Sequence, residues 1–289
     1  MSALTFATAQ LLRVLPRRGM TRVMGRLADQ SLPAPVARAV VNLYSRAYDV
    51  RLDECESRDY ASFDDFFTRT LLPNARPLEG DERTIVSPAD GRLDGPGAVD
   101  ASSVYMVKGR PYRAEELLGG EDEARRYEGG SACVVYLSPR DYHRVHAPVA
   151  GEIAHVRSMP GDYYPVNAIG IEHVPNLFVR NRRVAIAIDT PPELDLGRVT
   201  LVMVAAIVVG RITVSGVPGR DVPLGDHRLS PARKVARGDE VGIFHLGSTV
   251  VMFLEKRASA GWVAAEGPVR LGQALTRPRE RHTNGEATR

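Results

Sequence analysis

The sequence contains few cysteines, few aromatic residues and no long apolar run, and each shortage excludes a class of protein. Two cysteines among 289 residues, Cys55 and Cys133, form neither a disulfide framework nor a four-cysteine zinc site. A reducing compartment is therefore the simpler expectation. The longest apolar run, Leu201–Val209, has nine residues, whereas a helix that spans a bilayer needs about twenty. Only 6% of residues are aromatic, while 26 glycines and 20 prolines indicate many turns and favour short strands.

Acidic side chains are scarce in the first fifty residues. This segment has seven Arg, no Lys, two Asp and no Glu, a net charge of +5, whereas the remaining 31 basic and 33 acidic residues carry −2. A basic segment of this kind binds nucleic acid or an anionic membrane surface. No basic residue precedes the apolar stretch 1–10, so a secretory signal peptide is not expected. The overall composition, 44% hydrophobic and 25% charged, is typical of a globular protein.

Apolar periodicity predicts short helices in the N-terminal region and strands in the rest. The predicted helices cover 3–15, 20–30, a segment opened by Pro33 and Pro35, and 62–71 with Ser62 as its N-cap. From about residue 84 the apolar stretches are short and β-branched, and Gly, Pro and Asp separate them. The expected fold is therefore α+β, a β-rich barrel or sandwich-like body with an N-terminal amphipathic helical region.

Three regions follow from these patterns. Residues 1–72 form the helical region, 73–275 the β-rich domain that is expected to carry the chemistry, and 276–289 a polar tail that is expected to be disordered. Segments 87–93 and 147–153 share the pattern small-Pro-x-x-Gly-x-aliphatic. Such a repeat is typical of a small barrel or sandwich built from related halves.

Four residues are candidates for chemistry: Asp90 before a glycine, His143 and His146 in a His-x-x-His pattern, and Ser248. A serine, a histidine and an aspartate can form a nucleophile, its base and the group that orients the base. The serine lacks the Gly-x-Ser-x-Gly pattern of the α/β-hydrolases. Because Gly247 precedes it, its hydroxyl can attack the unhindered Gly247 carbonyl. The resulting ester can eliminate to dehydroalanine, which water converts to a pyruvoyl group.

Two other interpretations remain open at this point. On a helix, the spacing of His143 and His146 would put them on one side, where they could bind zinc together with Asp90, which would make the protein a zinc hydrolase. The repeated Pro-x-x-Gly pattern could instead belong to a barrel-type carrier or binding module without catalytic activity. Only the interpretation in which Ser248 becomes a pyruvoyl group predicts cleavage of the chain before Ser248; both alternatives predict an intact chain.

Four segments of the sequence resemble the phosphatidylserine decarboxylase family, and in particular its bacterial, membrane-associated branch. They are Ser-Pro-Ala-Asp-Gly at 87–91, Tyr-Leu-Ser-Pro-Arg-Asp-Tyr-His-Arg-Val-His-Ala-Pro at 136–148, Val-Pro-Asn-Leu-Phe-Val-Arg-Asn at 174–181 and Leu-Gly-Ser-Thr at 246–249. The resemblance extends from about residue 62 to 257. One departure is Arg182, where the family often has Glu.

The resemblance implies decarboxylation of phosphatidylserine to phosphatidylethanolamine and CO2 by a covalent pyruvoyl group. Ser248 would be its precursor and would form the Schiff base with the substrate amine. The cut between Gly247 and Ser248 would leave fragments 1–247 and 248–289 together as a heterodimer. His146 would be the base for this cleavage, Asp90 its orienter, and His143 the proton donor in decarboxylation. No metal is implied.

The implied substrate is an anionic lipid, which favours a membrane over nucleic acid as the partner of the basic N-terminal region. We therefore expect a peripheral enzyme on the cytoplasmic face of the cell membrane, and a homodimer of the processed unit is compatible with this. Arg13, Arg17, Arg18 and Arg22 are expected to contact the anionic surface. The alternative is that the region is an ordinary helical subdomain packed on the body.

Overall fold

A computed structural model describes residues 16–207, 210–246, 248–258 and 261–277. The helix expected at 3–15, Arg13, Gly247 and residues 278–289 of the expected tail lie outside these ranges. Thr276 is buried and forms a β-bridge with Trp262. The packed part of the chain therefore extends to the start of the segment that composition assigns to the tail.

Among the described residues, three helices precede the β-rich body: α1 (Arg17–Ala28), α2 (Ala34–Tyr48) and α3 (Phe63–Phe67). The predicted N-cap of α3 is confirmed, since Ser62 Oγ accepts a hydrogen bond from the Asp65 amide at 3.1 Å. The helix is shorter than predicted because the chain leaves helical geometry at Thr68. Arg69 then donates hydrogen bonds to backbone carbonyls of the loop at 138–143.

The body contains thirteen strands and four further short helices among the described residues. In chain order they are β1 (Gly91–Ala98), β2 (Val104–Val107), β3 (Arg110–Arg113), α4 (Ala114–Leu118), α5 (Glu121–Arg125), β4 (Ser131–Leu137), β5 (Arg144–His146), β6 (Gly151–Met159), α6 (Ala168–His173), α7 (Leu177–Arg180), β7 (Arg183–Asp189), β8 (Arg198–Val204), β9 (Arg211–Val214), β10 (Gly225–Val235), β11 (Glu240–His245), β12 (Ser248–Leu254) and β13 (Gly267–Val269). The strands expected from the apolar stretches are all present, but β8 ends at Val204.

The strands form one large antiparallel sheet and two small ones. The large sheet has eight strands in the order β10-β6-β7-β8-β12-β4-β1-β13, and β5-β11-β9 and β2-β3 form the others. Within the described residues β10 and β13 are its two edges, so the sheet is open. The α+β prediction is confirmed, and of its two forms the sandwich-like one is correct rather than the closed barrel.

The central strands of the large sheet are covered on both faces. In β12, Val250, Met252 and Leu254 belong to the apolar cluster that also contains residues of β9 and β11. Val251 and Phe253 belong to the second cluster, which the helices cover. Alternate side chains of one strand therefore pack into the two apolar clusters on opposite faces of the sheet. The candidate residues described below lie at one end of this sheet.

The two N-terminal helices bury mostly small side chains and expose most of their large apolar ones. Thr21 and Ala28 of α1 are buried, and so are Ala37, Val41 and Ser45 of α2. The exposed large apolar side chains of these helices are Val23, Met24, Leu27, Val36, Val40, Leu43 and Tyr48. An amphipathic helix in a globular protein usually has the opposite arrangement. No helix among the described residues is long and apolar enough to cross a bilayer.

Arg17 was expected to contact an anionic membrane surface, but it contacts the body of the protein instead. Its side chain is buried, forms an ion pair with Asp162 at 2.7 Å and lies over the Tyr164 ring at 4.0 Å from its centroid. The ion pair raises the Arg17 pKa and lowers that of Asp162. Arg17 therefore fastens α1 to the body, and the expectation that it meets a membrane is wrong.

Candidate active site

The register of the large sheet brings the candidate residues to one end. Tyr136 of β4 lies opposite Arg92 of β1 on one side and opposite Thr249 of β12 on the other. One residue nearer this end, Ser248 lies opposite Leu137. The first residue of β12 and the last residue of β4 therefore share a row at the end of the sheet.

The candidate residues belong to segments at this end. Asp90 directly precedes β1, the loop at 138–143 follows β4, and β12 begins at Ser248. Strands β1 and β12 are two strand spacings apart, about 10 Å. A Cβ atom on Gly91 would lie 2.3 Å from the Tyr136 carbonyl oxygen, so only glycine lets the chain after Asp90 approach β4 this closely.

The small sheet adds the two histidines to the same region. Strand β5 pairs with β11, so that His146 lies opposite Glu240, and the Phe244 amide donates to the His143 carbonyl at 3.0 Å. Strand β11 leads directly to Ser248. Glu240 lies four residues before Phe244, or about 13 Å along a strand. Along this ladder His143 is therefore nearer to the start of β12 than His146 is.

One nitrogen of the His143 imidazole is fixed by a hydrogen bond, and the other has no partner in the part of the chain that the structure describes. The side chain is fully buried, its ring is 4.0 Å from that of Phe67, and Nδ1 lies 2.8 Å from the Asp141 carbonyl oxygen. Because a carbonyl only accepts, Nδ1 carries the proton and Nε2 has a free lone pair. Nε2 has no hydrogen-bond partner among the described residues. Burial, and secondarily the charge of Arg69, lower the pKa of His143 to about 3.

Arg69 holds the loop that carries His143, although its residue type alone does not mark it as functional. Its Nη2 donates to the carbonyls of Arg140 and Asp141 at 2.9 and 3.0 Å. The Asp141 carbonyl thus accepts from both Arg69 and His143. Arg69 is buried and forms no ion pair within the described part of the chain. The one signal in the sequence is its place at the end of the Phe-Phe-Thr-Arg stretch at 66–69, which lies within the range of the family resemblance.

His146 is also fixed in the form that leaves Nε2 basic. Its Nδ1 lies 2.8 Å from the Gly238 carbonyl oxygen, and its Nε2 lies 3.1 Å from the Tyr142 hydroxyl. Nδ1 must therefore donate, and Nε2 accepts from the tyrosine. Burial is the main cause that lowers the His146 pKa, while the charge of Asp90 is among the weaker influences that raise it. His146 is consequently a neutral base near pH 7.

Asp90 is close to this histidine but is not hydrogen-bonded to it. Its carboxylate accepts from Arg76 Nε at 2.8 Å and Nη2 at 2.6 Å, and from the Leu271 amide at 2.8 Å. A cavity of about 250 Å³ is lined by Asp90, and a second cavity of about 430 Å³ is lined by His146. Tyr142 and Arg76 line both cavities. Asp90 and His146 therefore lie on opposite sides of these two side chains.

The ligand set for a zinc ion is not assembled. Asp90 is occupied by a guanidinium, and Nδ1 of each histidine faces a backbone carbonyl. Within the described ranges no three His, Cys, Asp or Glu side chains are grouped so that they could hold a metal ion. The zinc-hydrolase interpretation therefore has no support.

Asp64 and His245 form a buried pair near the start of β12, and no pattern in the sequence predicts this contact. His245 Nδ1 donates to Asp64 Oδ2 at 2.9 Å, and His245 Nε2 lies 2.9 Å from Thr213 Oγ1. Asp64 also accepts from Arg220 at 2.5 Å. Asp64 and His245 are 181 residues apart, so no local pattern could join them. The pair connects α3 to the strand that runs into the Gly247–Ser248 junction.

The chain is similar in sequence to a known protein family and to several curated relatives. The sequence profile of the family described as Phosphatidylserine decarboxylase matches residues 63–277. The chain is similar to the phosphatidylserine decarboxylase proenzyme of Delftia acidovorans, with 40% identity over 277 residues that cover 91% of this chain and 94% of the relative. It is also similar to the proenzyme of the same description from Myxococcus xanthus, with 36% identity over 279 residues, 92% of this chain and 96% of the relative.

Proposed function

The chain belongs to the phosphatidylserine decarboxylase family, and on this premise we propose that it forms a pyruvoyl group from Ser248 and uses it to convert phosphatidylserine to phosphatidylethanolamine and CO2. The observation that carries the proposal is the shared end of the large sheet. Asp90 directly precedes β1, the loop with His143 follows β4, and β12 begins at Ser248, all at that end.

Self-cleavage requires only groups of the chain and one water molecule. The Ser248 hydroxyl oxygen attacks the Gly247 carbonyl carbon, the C–N bond breaks, and the hydroxyl proton passes to the released nitrogen, which leaves an ester. Loss of the Ser248 Cα proton then expels the Gly247 carboxylate and leaves dehydroalanine. Water converts this group to pyruvoyl with release of ammonia. Leu246, just before the junction, has a left-handed φ of 82°, a conformation that costs a non-glycine residue about 1–2 kcal/mol.

His146 acts as the base for this cleavage, with Asp90 supporting it. The support is the fixed tautomer, since Nδ1–H faces the Gly238 carbonyl and Nε2 keeps the basic lone pair, which here accepts a hydrogen bond from the Tyr142 hydroxyl. Asp90 acts through its charge rather than through a direct hydrogen bond, because Arg76 and the Leu271 amide hold its oxygens. The Tyr142 hydroxyl is hydrogen-bonded to Nε2, and Tyr142 also lines the cavity that contains Asp90.

After the cut the two fragments remain associated. Strand β12 belongs to the small fragment, 248–289, and is paired along its length with β4 on one side and β8 on the other. Both partner strands belong to the large fragment, and the side chains of Val250, Met252 and Phe253 are fully buried. The fragments therefore form a heterodimer that shares one sheet.

The surroundings of residue 248 are suited to a group with a reactive carbonyl. Two buried polar atoms without partners among the described residues, His143 Nε2 and Thr249 Oγ1, belong to segments that flank this position. A pyruvoyl group there would supply the electron sink for loss of the substrate carboxylate, as pyridoxal phosphate does in other enzymes.

His143 handles the proton of the substrate. The substrate nitrogen must be the free amine to act as a nucleophile, and the lone pair of Nε2 on the neutral His143 can accept a hydrogen bond from it. The same Nε2 then relays a proton from water to Cα after CO2 has left. A histidine whose pKa is lowered by burial gives up such a proton readily.

Helices α1 and α2 attach the enzyme peripherally to the membrane that contains its substrate, on the cytoplasmic face. The support is their outward row of large apolar side chains beside the arginines of α1. Each apolar side chain of this size contributes about 1.5–3 kcal/mol when fully buried, and partial insertion yields part of that. A second copy of the chain on the same surface, as in a homodimer, is the competing occupant, which sedimentation without lipid would reveal.

The test of this function uses the purified full chain. Denaturing electrophoresis should show fragments 1–247 and 248–289, and mass spectrometry should find the small fragment lighter by one ammonia than its sequence predicts. The protein should release labelled CO2 from carboxyl-labelled phosphatidylserine, and chelators should not reduce the rate. An intact chain that is inactive on the lipid would contradict the proposal.

A further inference from the structure

A cavity of about 500 Å³ lies between α1 and the body. Arg18, Arg22 and Arg26 line it from the helix, and their spacing of four residues puts them on one face. From the body, Arg211 and His245 contribute to its wall. The cavity thus has a helix with three cationic side chains on one side and the strand that precedes Ser248 on the other.

Among the described residues, Arg18, Arg22 and Arg26 are the arginines lining this cavity that have no carboxylate partner. The guanidinium of Arg211 is held by Asp29, at 2.7 Å for one of its hydrogen bonds, and Arg182, which also lines the cavity, pairs with Asp221 at 2.5 Å. Within the described residues Arg18, Arg22 and Arg26 form no ion pair, and Arg18 donates only to the Gly161 carbonyl at 3.3 Å. Guanidinium groups bind phosphate oxygens in a bidentate geometry.

The cavity lies between the candidate active site and the exposed apolar surface. His245 precedes Ser248 by three residues, at most about 10 Å of extended chain. Val23 and Leu27 follow Arg22 and Arg26 directly on α1, so their row lies about 100° further around the helix, and both are exposed. A ligand in the cavity can therefore reach residue 248 at one end and the apolar surface at the other.

We propose that this cavity binds the phosphodiester of the glycerophospholipid substrate through Arg22 and Arg26. This inference rests on the proposed function. The serine headgroup, only a few bonds from phosphorus, points towards residue 248, and the glycerol and acyl chains leave along Val23 and Leu27. Because free serine has no phosphodiester, the cavity also explains how the enzyme would select the lipid over the amino acid.

The first test separates this binding from attraction to a charged membrane. Dihexanoylphosphatidylserine below its micellar concentration presents the headgroup without a surface. For the full chain with R22Q and R26Q together we expect KM to rise about tenfold, the equivalent of about 1.4 kcal/mol, with kcat and self-cleavage unchanged. The control, R46Q with R58Q, removes the same two charges from exposed positions outside the cavity and should leave KM unchanged. An unchanged KM in R22Q/R26Q would overturn the proposal.

The second test measures binding without catalysis. Calorimetry should detect glycerophosphoethanolamine binding to the wild-type chain and to R46Q/R58Q but not to R22Q/R26Q, whether or not the protein decarboxylates lipid. Failure of the proposed function and failure of this inference are thus distinguishable. If inorganic phosphate binds as tightly as glycerophosphoethanolamine, the cavity is a free-phosphate site, and the assignment to the lipid is wrong. Equal binding to both variants also contradicts it.

Discussion

His245 Nδ1 donates a hydrogen bond to Asp64 Oδ2 at 2.9 Å, and both side chains are buried. One partner belongs to the short helix α3 and the other to the last position of β11, three residues before Ser248. The N-terminal region is therefore coupled directly to the strand that leads to the junction where the chain is expected to cut itself.

We expect Asp64→Asn to lower the free energy of unfolding by about 2 kcal/mol, since hydrogen bonds to charged groups contribute about 1.5–3 kcal/mol each. The carboxylate also holds Arg220, which would lose its counter-charge. Urea unfolding at neutral pH measures the effect. Asp65→Asn is the matched control, because Asp65 is the exposed neighbour on the same helix. Equal stability of the two variants would contradict a structural role for the Asp64–His245 pair.

Ser248→Ala should yield an uncut, inactive chain, because no side-chain nucleophile remains to attack Gly247. Thr249→Ala is the control and should still be cut, since it removes only the neighbouring hydroxyl, which is buried and has no partner among the described residues. Electrophoresis of both purified variants gives the answer. A fully processed S248A protein would refute the assignment of the precursor.

The two histidines should differ in the step that they affect. We expect His146→Ala to remain largely uncut, whereas His143→Ala should be cut, at least slowly, but decarboxylate about 10²–10⁴-fold more slowly, the usual contribution of a general acid or base. The β5–β11 ladder puts His143 nearer than His146 to the start of β12, so the experiment also tests whether His143 is the base for cleavage. If H143A blocks cleavage and H146A is cut normally, the two roles are exchanged.

Arg69 should control the acid limb of the decarboxylation rate. Its charge is one cause of the low His143 pKa of about 3, after burial, so Arg69→Gln should raise that pKa and move the acid limb of kcat to higher pH. Arg69→Lys keeps the charge but not the paired hydrogen bonds to the Arg140 and Asp141 carbonyls. It should therefore keep the limb in place while lowering kcat. An acid limb that is identical in R69Q and the wild type would exclude this role.

His143 should also make the folded state sensitive to acid. Its pKa is lower in the folded protein than the ordinary value of 6.5, so the unfolded chain binds a proton that the folded chain does not. This contribution to stability is complete above pH 6.5 and is lost progressively as the pH falls towards 3. Urea unfolding as a function of pH should therefore show a shallower decline in His143→Phe than in the wild type, and parallel declines would argue against it.

Membrane binding should depend on the exposed positions of α1 and not on Arg17. Val23→Ser with Leu27→Ser should weaken vesicle binding at both low and high salt, because it removes apolar contact. Arg18→Gln with Arg22→Gln should weaken it mainly at low salt, since each cation near an anionic surface contributes about 1 kcal/mol and salt screens it. Cosedimentation with phosphatidylserine vesicles measures both.

Arg17→Gln is the contrasting variant for this experiment. Because Arg17 is buried against Asp162 and Tyr164, its loss should lower stability, as seen in urea unfolding. Unchanged vesicle binding by both α1 double variants, together with normal self-cleavage, would mean that the helices form a structural subdomain and that the membrane contact lies elsewhere.

Local patterns in the sequence were sufficient for much of the architecture and for the choice of candidate residues. The alternation in β12 and the Ser62 cap depend on neighbours within a few residues, so the chain specifies them locally. The Gly-Ser pair at 247–248 and the His-x-x-His pattern are likewise contiguous. Their chemistry follows from residue type, although their assignment to particular steps stays a prediction.

The tertiary structure alone decided which side of each element packs. Periodicity identifies residues on one face of α1 but not whether that face is buried, and here the small residues pack closely while Val23 and Leu27 remain outside. The burial of Arg17 and the pairing of Asp64 with His245 depend on partners more than a hundred residues away. Such contacts form only when the whole sheet is assembled, because the free energy of a distant ion pair or packed face depends on desolvation that no local segment provides.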